Sequence, residues 1–296
     1  VMGQLRDERC CHVLERVLLQ EKEHVMVRHE TAEALGAIGA HRSMGPLKKI
    51  LKDHDRQQCQ ELLETCQLAF QVMQWRQEGS KLEETPAMCA CMMNPYNSVD
   101  PAPPHPSHEF LSASALGDIV SDASRPLFER YRAMFSLRNK GTDDCVLELT
   151  NALIRDDSSA LLRHEIAYVL GQLQNARCID GLEQSLRDPT EHEMVRHEAA
   201  EALGAMTDGW DRVELILREF THHDDPVIRE SCLVALDAAE YWTSNDDNDN
   251  SDTTTSSFTQ QKNHLPNTNG NNNECKSSSA PNGILVNHFN VVSNSE

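Results

Sequence analysis

The sequence lacks the features that mark several common protein classes. Only 5% of its 296 residues are aromatic, and no run of 18 or more apolar residues could cross a bilayer as a helix. A secretory signal has a charged segment, then an apolar one, then small residues, and the first residues of the sequence do not show this order. Basic residues are scarce, since 27 Lys and Arg face 47 Asp and Glu, for a net charge of −20. We therefore expect a cytoplasmic protein with no membrane or nucleic-acid partner, whose acidic surface attracts a basic partner.

Motifs of several enzyme classes are missing as well. The ten cysteines form no C-x-x-C pair, and thiols in a reducing compartment account for them. The sequence has no Gly-rich phosphate loop and no G-x-S-x-G turn. Kinase, dinucleotide-binding and serine-hydrolase functions therefore lack their required parts.

Internal repetition is the strongest positive feature of the chain. Residues 1–37 align without gaps on residues 169–205, and 22 of these 37 positions are identical. A shorter period of 33 residues relates four arginines, Arg130, Arg163, Arg196 and Arg229. Periods of this size are typical of pairs of antiparallel helices stacked in series, and apolar residues at steps of three and four agree with helices. The sequence thus predicts an all-α helical-hairpin repeat solenoid in two pseudo-symmetric halves.

Changes in composition divide the chain further. Residues 79–108 contain six prolines, which lack the amide hydrogen and restrict the backbone. Of the last 54 residues 13 are Asn, and apolar residues are too few there to offset the entropy lost on ordering. We predict an N-terminal repeat half at 1–78, a Pro-rich linker at 79–110, a C-terminal repeat half at 111–242 and a disordered tail at 243–296.

One dipeptide recurs at a fixed register of the repeat, always after arginine: His29-Glu30, His164-Glu165 and His197-Glu198. The outer repeats carry Tyr131-Arg132 and Glu230-Ser231 at that register, so the repeat fold itself does not require His-Glu. Neighbouring helices packed about 8–10 Å apart would point two imidazoles and two carboxylates into one space. Two His and one carboxylate form the facial triad of non-haem Fe(II), although manganese accepts the same ligands. The spare glutamate would hold a cationic substrate.

Glycine follows each motif histidine by seven residues, at Gly36, Gly171 and Gly204, and so lies near the same helix face. A glycine inside a helix costs about 1 kcal/mol relative to alanine, so a reason is required. Two readings stay open. The missing side chains leave room for a metal or substrate, or they permit tight helix packing or a helix end.

Other histidines are interpreted without a metal. His24 and His192 lie five residues before motif histidines and are expected in a loop or at a helix start. The stretch 222–225, His-His-Asp-Asp followed by proline, is expected to be a turn between helices. His105 and His108 lie among the linker prolines and are expected to be solvated.

Several segments together resemble the deoxyhypusine hydroxylases, a family of HEAT-like helical-repeat di-iron monooxygenases. The resemblance covers roughly residues 1–242. It rests on the three arginine-led motifs with the glycine-bearing segments that follow them, 26–39, 163–173 and 194–205. It extends to Ser98-Val99-Asp100-Pro101-Ala102-Pro103-Pro104 and to Ser124-Arg125-Pro126-Leu127-Phe128-Glu129-Arg130-Tyr131-Arg132-Ala133-Met134.

The resemblance implies a function and a ligand set. The family uses four His-Glu motifs, two in each half, to hold two irons that activate dioxygen, and it hydroxylates the deoxyhypusine side chain of eukaryotic translation initiation factor 5A to form hypusine. The metal ligands implied here are His29, Glu30, His164, Glu165, His197 and Glu198. Of these, Glu198 is assigned to iron and Glu165 to the catalytic role of the spare carboxylate. The fourth motif projects to position −4 (164 − 168), so we expect the sequence to be truncated at its N-terminus.

A function from another class stays open. A non-catalytic HEAT-repeat scaffold would bind a basic protein partner on its concave face, with any metal structural or absent. Iron content together with oxygen consumption distinguishes the two functions. A scaffold would also tolerate replacement of His164 or His197 by alanine without losing its partner.

Overall fold

Helices account for all regular secondary structure in the part of the chain that the structure describes. This structure is a computed structural model, and it describes residues 2–52, 59–79, 94–96 and 98–249. The first half contains α1 (Met2–Leu5), α2 (Cys11–Leu18), α3 (Val25–Ile38), α4 (Met44–Lys52) and α5 (Gln60–Gln74). The second half contains α6 (Ala113–Ser121), α7 (Leu127–Lys140), α8 (Asp143–Arg155), α9 (Ala160–Leu173), α10 (Ile179–Arg187), α11 (Glu193–Gly204), α12 (Trp210–Phe220) and α13 (Pro226–Asp249). Within these ranges, no helix is both long and apolar enough to cross a membrane.

The α-helices form two rows. The inner row consists of α1, α3, α5, α7, α9, α11 and α13, and the outer row consists of α2, α4, α6, α8, α10 and α12. From α3 onward, each inner helix packs on the outer helix that precedes it. The two halves meet where α5 contacts α7 and α9. This arrangement confirms the predicted all-α HEAT-like solenoid of helical hairpins.

The repeated arginine binds the end of the preceding outer helix. Arg28, which precedes His29, and two arginines of the 33-residue period donate from Nε to a carbonyl ten residues earlier: Arg28 to Leu18 at 3.0 Å, Arg130 to Val120 at 2.7 Å, and Arg196 to Leu186 at 3.0 Å. Carbonyls in the last turn of a helix lack an intrahelical partner, so the arginine satisfies one of them. At these three positions the arginine therefore joins an inner helix to the outer helix that precedes it.

Two apolar cores lie between the rows. One is built from buried side chains of α2–α5, and the other from side chains of α5 through α13 together with Ala102 of the linker. Ala69 of α5 belongs to the first core, whereas the adjacent Leu68 belongs to the second. Helix α5 therefore contributes side chains to the cores of both halves.

Capping side chains explain where two of the inner helices begin. His24 Nδ1 accepts a hydrogen bond from the Met26 amide, and His192 Nδ1 accepts one from the Met194 amide, both at 3.3 Å. Such caps satisfy N–H groups that have no intrahelical partner. The prediction that both histidines lie in a loop or at a helix start is confirmed, and residues 222–225 form the predicted turn before α13.

The linker and the tail are only partly described. A π-helical turn, Trp75–Gly79, continues α5, and a 3-10 helix, Pro106–Phe110, precedes α6. Helix α13 reaches Asp249, seven residues beyond the boundary predicted at 242. Residues 80–93 of the predicted linker and 250–296 of the predicted tail lie outside the described residues, so the domain boundaries stay predictions.

The expectation that His108 is solvated is wrong. The residue is 8% exposed, and its Nδ1 lies 2.9 Å from Ser136 Oγ on α7. The 3-10 helix that carries His108 packs on α7 and turns the ring inward. Prolines around a residue restrict its backbone, but they do not decide which surface the segment covers.

Candidate metal centre

The three His-Glu motifs lie on inner helices and face one another. His29 is on α3, His164 on α9 and His197 on α11. The ring centroid of His164 lies 5.3 Å from that of His29 and 6.3 Å from that of His197. All three imidazoles are buried. The fold thus brings a histidine of the first half next to the histidine pair of the second.

His164, His197 and Glu198 form a compact set of donor atoms. Glu198 Oε2 lies 3.3 Å from His164 Nε2 and 3.8 Å from His197 Nε2. One ligand atom from each residue lies within 4.8 Å of the others. Donors that bind one metal at about 2.1 Å and at right angles are about 3 Å apart. The set is therefore close to the two-His, one-carboxylate arrangement.

A second group joins the two halves. His29 Nε2 lies 3.6 Å from Glu30 Oε1, and these residues together with His164 place their ligand atoms within 4.8 Å of one another. The carboxylate of Glu30 is about one-third exposed, whereas that of Glu198 is buried. His164 belongs to both groups, so the two potential metal positions are neighbours.

The hydrogen bonds of His29 define its tautomer. The Thr65 hydroxyl donates to the Glu61 carbonyl at 2.8 Å, which uses its only hydrogen. Thr65 Oγ1 lies 2.7 Å from His29 Nδ1 and must therefore accept from it. The hydrogen is on Nδ1, and Nε2 keeps a lone pair directed at the donor group.

His197 is oriented in the same way from α13. The Ser231 hydroxyl donates to the Val227 carbonyl at 2.8 Å, and Ser231 Oγ lies 2.7 Å from His197 Nδ1. Glu201 Oε1 lies 3.2 Å from the same nitrogen. Ser231 Oγ thus accepts from Nδ1–H, which leaves Nε2 as the ligand atom.

A pocket opens beside His29 between the two halves. Most of its wall is apolar and comes from α5, α7, α9 and the linker: Leu68, Val72, Val99, Pro101, Tyr131 and Leu161. Two carboxylates, those of Glu33 and Glu165, also line it. Apolar walls exclude water, and a carboxylate attracts an ammonium group more strongly where water is excluded. The pocket therefore suits an aliphatic chain that carries a positive charge.

Glu165 lines the pocket that also contains His29, next to the two donor groups. His29, Glu30, His164, His197 and Glu198 lie in the two donor groups, whereas Glu165 lies outside both and lines the pocket. Its assignment as a metal ligand stays a prediction. Its predicted catalytic role as a spare carboxylate stays a prediction, and its position agrees with that role.

Two tyrosines next to these carboxylates stay neutral. Burial raises the pKa of Tyr131 and Tyr168, and the negative charge of Glu165 raises both further. The Tyr131 hydroxyl donates to the Leu161 carbonyl at 3.2 Å, which fixes two residues of the pocket wall against each other. Tyr131 lies on inner helix α7, at the position that histidine occupies in the His-Glu repeats. This register explains why its side chain faces inward.

Close helix packing explains the glycines at the seventh position. A Cβ on Gly36 would lie 2.8 Å from Ala69 Cβ, and one on Gly204 would lie 2.6 Å from Ala235 Cβ. Gly171 approaches the next inner helix, α11, in the same way. The packing interpretation is therefore confirmed, although Gly36 also lines the pocket.

Three residues of the site, Thr65, Ser231 and Glu33, are not among those predicted from the sequence. Ser231 had a usable signal, because it lies at the glutamate register of the repeat that follows His197. Thr65 lies on α5, where the arginine period is interrupted, so no spacing pointed to it. Glu33 has the same spacing from His29 as Glu201 from His197, but the pattern does not show that Glu33 lines a pocket.

The donor chemistry fits a divalent transition metal. Imidazole nitrogens suit zinc, copper, iron and nickel, and a carboxylate extends the range to manganese. Hydroxyl groups hold two of the three imidazoles in the ligating tautomer, which is the support that metal-binding histidines receive. His164, His197 and Glu198 could hold one ion, and His29 and Glu30 could hold another.

Comparisons with known proteins agree with the fold and decide the family. HEAT repeats match residues 113–204 and 146–237, and the PBS lyase HEAT-like repeat matches residues 27–53. The deoxyhypusine hydroxylase of Drosophila melanogaster is 44% identical over 243 residues, which cover 82% of this chain and 74% of that protein. The chain belongs to the deoxyhypusine hydroxylase family. The human deoxyhypusine hydroxylase is likewise 44% identical, over 245 residues that cover 82% of this chain and 74% of that protein.

A solved structure supports the assignment. The structure of human deoxyhypusine hydroxylase in complex with glycerol aligns with a TM-score of 0.71 at 42% identity. The alignment covers 81% of this chain and 77% of that one. Membership of the deoxyhypusine hydroxylase family makes the chain an enzyme, a monooxygenase, and removes the main reason for the scaffold alternative.

Proposed function

We propose that this chain hydroxylates the deoxyhypusine residue of translation initiation factor 5A, with two Fe(II) ions as cofactor and O₂ as co-substrate. The observation that carries the proposal is the buried set of His164, His197 and Glu198 beside His29 and Glu30 of the other half. Membership of the deoxyhypusine hydroxylase family supports the substrate. We also propose a cytoplasmic location, since a translation factor is modified there.

Histidine and glutamate side chains would bind the metal, and neighbouring hydroxyl groups orient two of the histidines. Bound iron supplies the oxygen chemistry that an unactivated C–H bond requires and that zinc cannot provide. His164, His197 and Glu198 would bind one ion, and His29 and Glu30 would supply ligands to the second. Thr65 and Ser231 hold two of the imidazoles through Nδ1, so that Nε2 stays directed at the centre.

The pocket binds the substrate side chain. Its apolar wall covers methylene groups and excludes water, and the carboxylates of Glu33 and Glu165 hold the amine. Glu165 follows His164 directly on α9, so an amine held by Glu165 keeps the adjacent carbons close to the ligand set. The negative net charge would attract a basic protein substrate from a distance.

Replacing ligands on α11 tests the metal and the reaction together. We expect His197→Ala and Glu198→Gln to bind iron more than about 100-fold more weakly, because one removes a donor and the other the negative charge of a donor, and losing a residue that only supports a ligand already costs about 10–100-fold. Hydroxylation of deoxyhypusine-bearing factor 5A should fall by about 100-fold or more. Iron is measured in the anaerobically loaded protein, and the product is measured by mass spectrometry as the gain of one oxygen atom.

His222→Ala is the matched control, since His222 is exposed in the turn before α13. It should leave iron binding and hydroxylation unchanged. A wild-type chain that binds no iron would refute the metal centre. The scaffold function would be favoured if the wild-type protein binds iron but leaves factor 5A unmodified, and if the His197→Ala variant still binds factor 5A.

A further inference from the structure

Arg138 places a positive charge entirely inside the protein. The side chain is on α7 and is 0% exposed. Its two terminal nitrogens donate to the two carboxylate oxygens of Asp100, at 2.8 and 2.6 Å. Asn139 Oδ1 accepts from Nε and Nη2 at 3.1 and 2.9 Å. A buried charge is costly unless it is paired and hydrogen-bonded, and this one is both.

Aromatic rings enclose the same guanidinium. Its central carbon lies 5.1 Å from the Tyr96 ring centroid and 4.7 Å from that of Phe135. Tyr96 belongs to the linker and Phe135 to α7, so the stacking also joins these two parts of the chain. Arginine suits such a site because a planar guanidinium stacks and binds a carboxylate through two hydrogen bonds.

The carboxylate partner fixes the backbone of the linker. Ser98 Oγ donates to Asp100 Oδ1 at 2.8 Å, and Asn94 Nδ2 donates to Asp100 Oδ2 at 3.1 Å. The residues on either side of Asp100 are Val99 and Pro101, and both line the pocket beside His29. The ion pair therefore holds the short segment that forms one wall of the pocket.

Arg138 also binds α9, which lines the pocket through Leu161 and Glu165. Its Nη1 donates to Gln172 Oε1 at 3.0 Å, and Gln172 Nε2 donates to the Tyr168 hydroxyl at 3.2 Å. Both partners lie on α9, where Tyr168 is one turn after His164. A continuous set of hydrogen bonds thus runs from the linker wall to the helix that carries His164 and Glu165.

We propose that Arg138 is a positioning residue for substrate binding: it fixes residues 98–101 as a wall of the pocket and sets the distance of this wall from α9. The substrate-binding part of this role rests on the proposed function. Arg138 does not line the pocket, so it acts through Asp100 and Gln172. Neither the repeat period nor the His-Glu motifs assign it a role.

The test distinguishes an effect on substrate binding, measured by KM, from an effect on the rate of the reaction, measured by kcat. Arg138→Lys keeps the charge but loses the planar double hydrogen bond. We expect KM for deoxyhypusine-bearing factor 5A to rise about tenfold while kcat changes by less than about twofold. Hydrogen exchange of residues 98–104 should also become faster. The Val99 amide is one reporter, since it donates to Gln4 Oε1 at 2.7 Å in the wild type.

Arg130→Lys is the matched control. Arg130 is buried on the same helix and pairs with the buried Asp156, but it binds the loop before α9 rather than the linker. This variant should leave KM and the exchange of residues 98–104 unchanged. Equal effects of the two substitutions would overturn the proposal, because they would show a general loss of packing.

A second variant tests the proposal if Arg138→Lys does not fold. Gln172→Leu keeps the Asp100 pair and cuts the connection to α9, so it should raise KM in the same direction by a smaller factor. Unchanged KM in a folded variant, or a loss of kcat alone, would also overturn the proposal. If the wild type does not hydroxylate factor 5A, the proposed function fails, and the exchange measurement still decides whether Arg138 holds the wall.

Discussion

Burial rather than position in the chain controls the titration of His108. Its Nδ1 lies 2.9 Å from Ser136 Oγ, and the Ser136 hydroxyl donates to the Arg132 carbonyl at 2.8 Å. The hydrogen is therefore on His108 Nδ1, and the folded protein holds the neutral ring. Burial lowers the pKa of His108 to about 4, and the nearby charges of His105, Arg132 and Lys140 act in the same direction.

This lowered pKa makes the free energy of unfolding depend on pH. The unfolded chain takes up the proton near the ordinary pKa of 6.5, whereas the folded chain takes it up only near 4. Between these values the unfolded state binds more protons, so stability is complete above about pH 6.5 and falls as the pH approaches 4, by up to about 3 kcal/mol. Urea unfolding across this range measures the loss.

His108→Asn isolates this contribution, because asparagine keeps an N–H donor for Ser136 and does not titrate. Between pH 6.5 and 4, the free energy of unfolding should fall by about 2–3 kcal/mol less in the variant than in the wild type. Equal losses in the two proteins would show that His108 does not cause the pH dependence.

At the scale of helices, glycine sets how closely the inner row packs. A Cβ on Gly204 of α11 would lie 2.6 Å from Ala235 Cβ and 2.9 Å from Ala235 Cα on α13. The backbone of α13 cannot give way without moving Ser231, which orients His197. The spacing of these helices therefore affects both stability and the ligand set.

Gly204→Ala should lower the free energy of unfolding by about 1–3 kcal/mol, since the added methyl group overpacks a helix contact. Gly45→Ala on α4 is the control, because an added Cβ there meets no atom within 4 Å. It should be neutral or stabilising by up to about 1 kcal/mol. Urea unfolding of both variants measures the difference, and similar values for the two would refute the packing argument.

At the scale of the whole molecule, the two cores differ in extent. The core of the first half is built from α2–α5, whereas the core of the second half extends from α5 through α13. Less apolar burial gives less stability, so we expect the first half to open first. Native-state hydrogen exchange in increasing urea should show earlier loss of protection in α2 and α3 than in α9 and α11.

A hydrogen bond between the halves modulates this opening. Ser159 Oγ donates to Glu64 Oε2 at 2.6 Å, which joins α5 to the start of α9. Glu64→Ala should lower the opening free energy of the first half by about 1 kcal/mol and leave α11 unchanged. Simultaneous loss of protection throughout the chain would contradict the two-core prediction.

The repeat fold and most members of the two donor groups were predictable from the sequence, because each repeat packs mainly on its neighbours and a fixed register keeps a residue on one helix face. For the same reason the His-Glu period identified His164, His197 and Glu198 as one set. Periodicity alone did not decide between the interpretations of Gly204, because the distance between two helices depends on the side chains of both.

Contacts between the halves were decided only by the tertiary structure. The sequence by itself determined an all-α repeat protein with inward-facing His-Glu motifs, since helix period and register are local properties. It did not determine that His29 lies beside His164, that Glu165 lines the pocket, or that Arg138 holds the linker against α9. These contacts join residues far apart in the chain, and they depend on how α5 docks between the two halves, which no local pattern encodes.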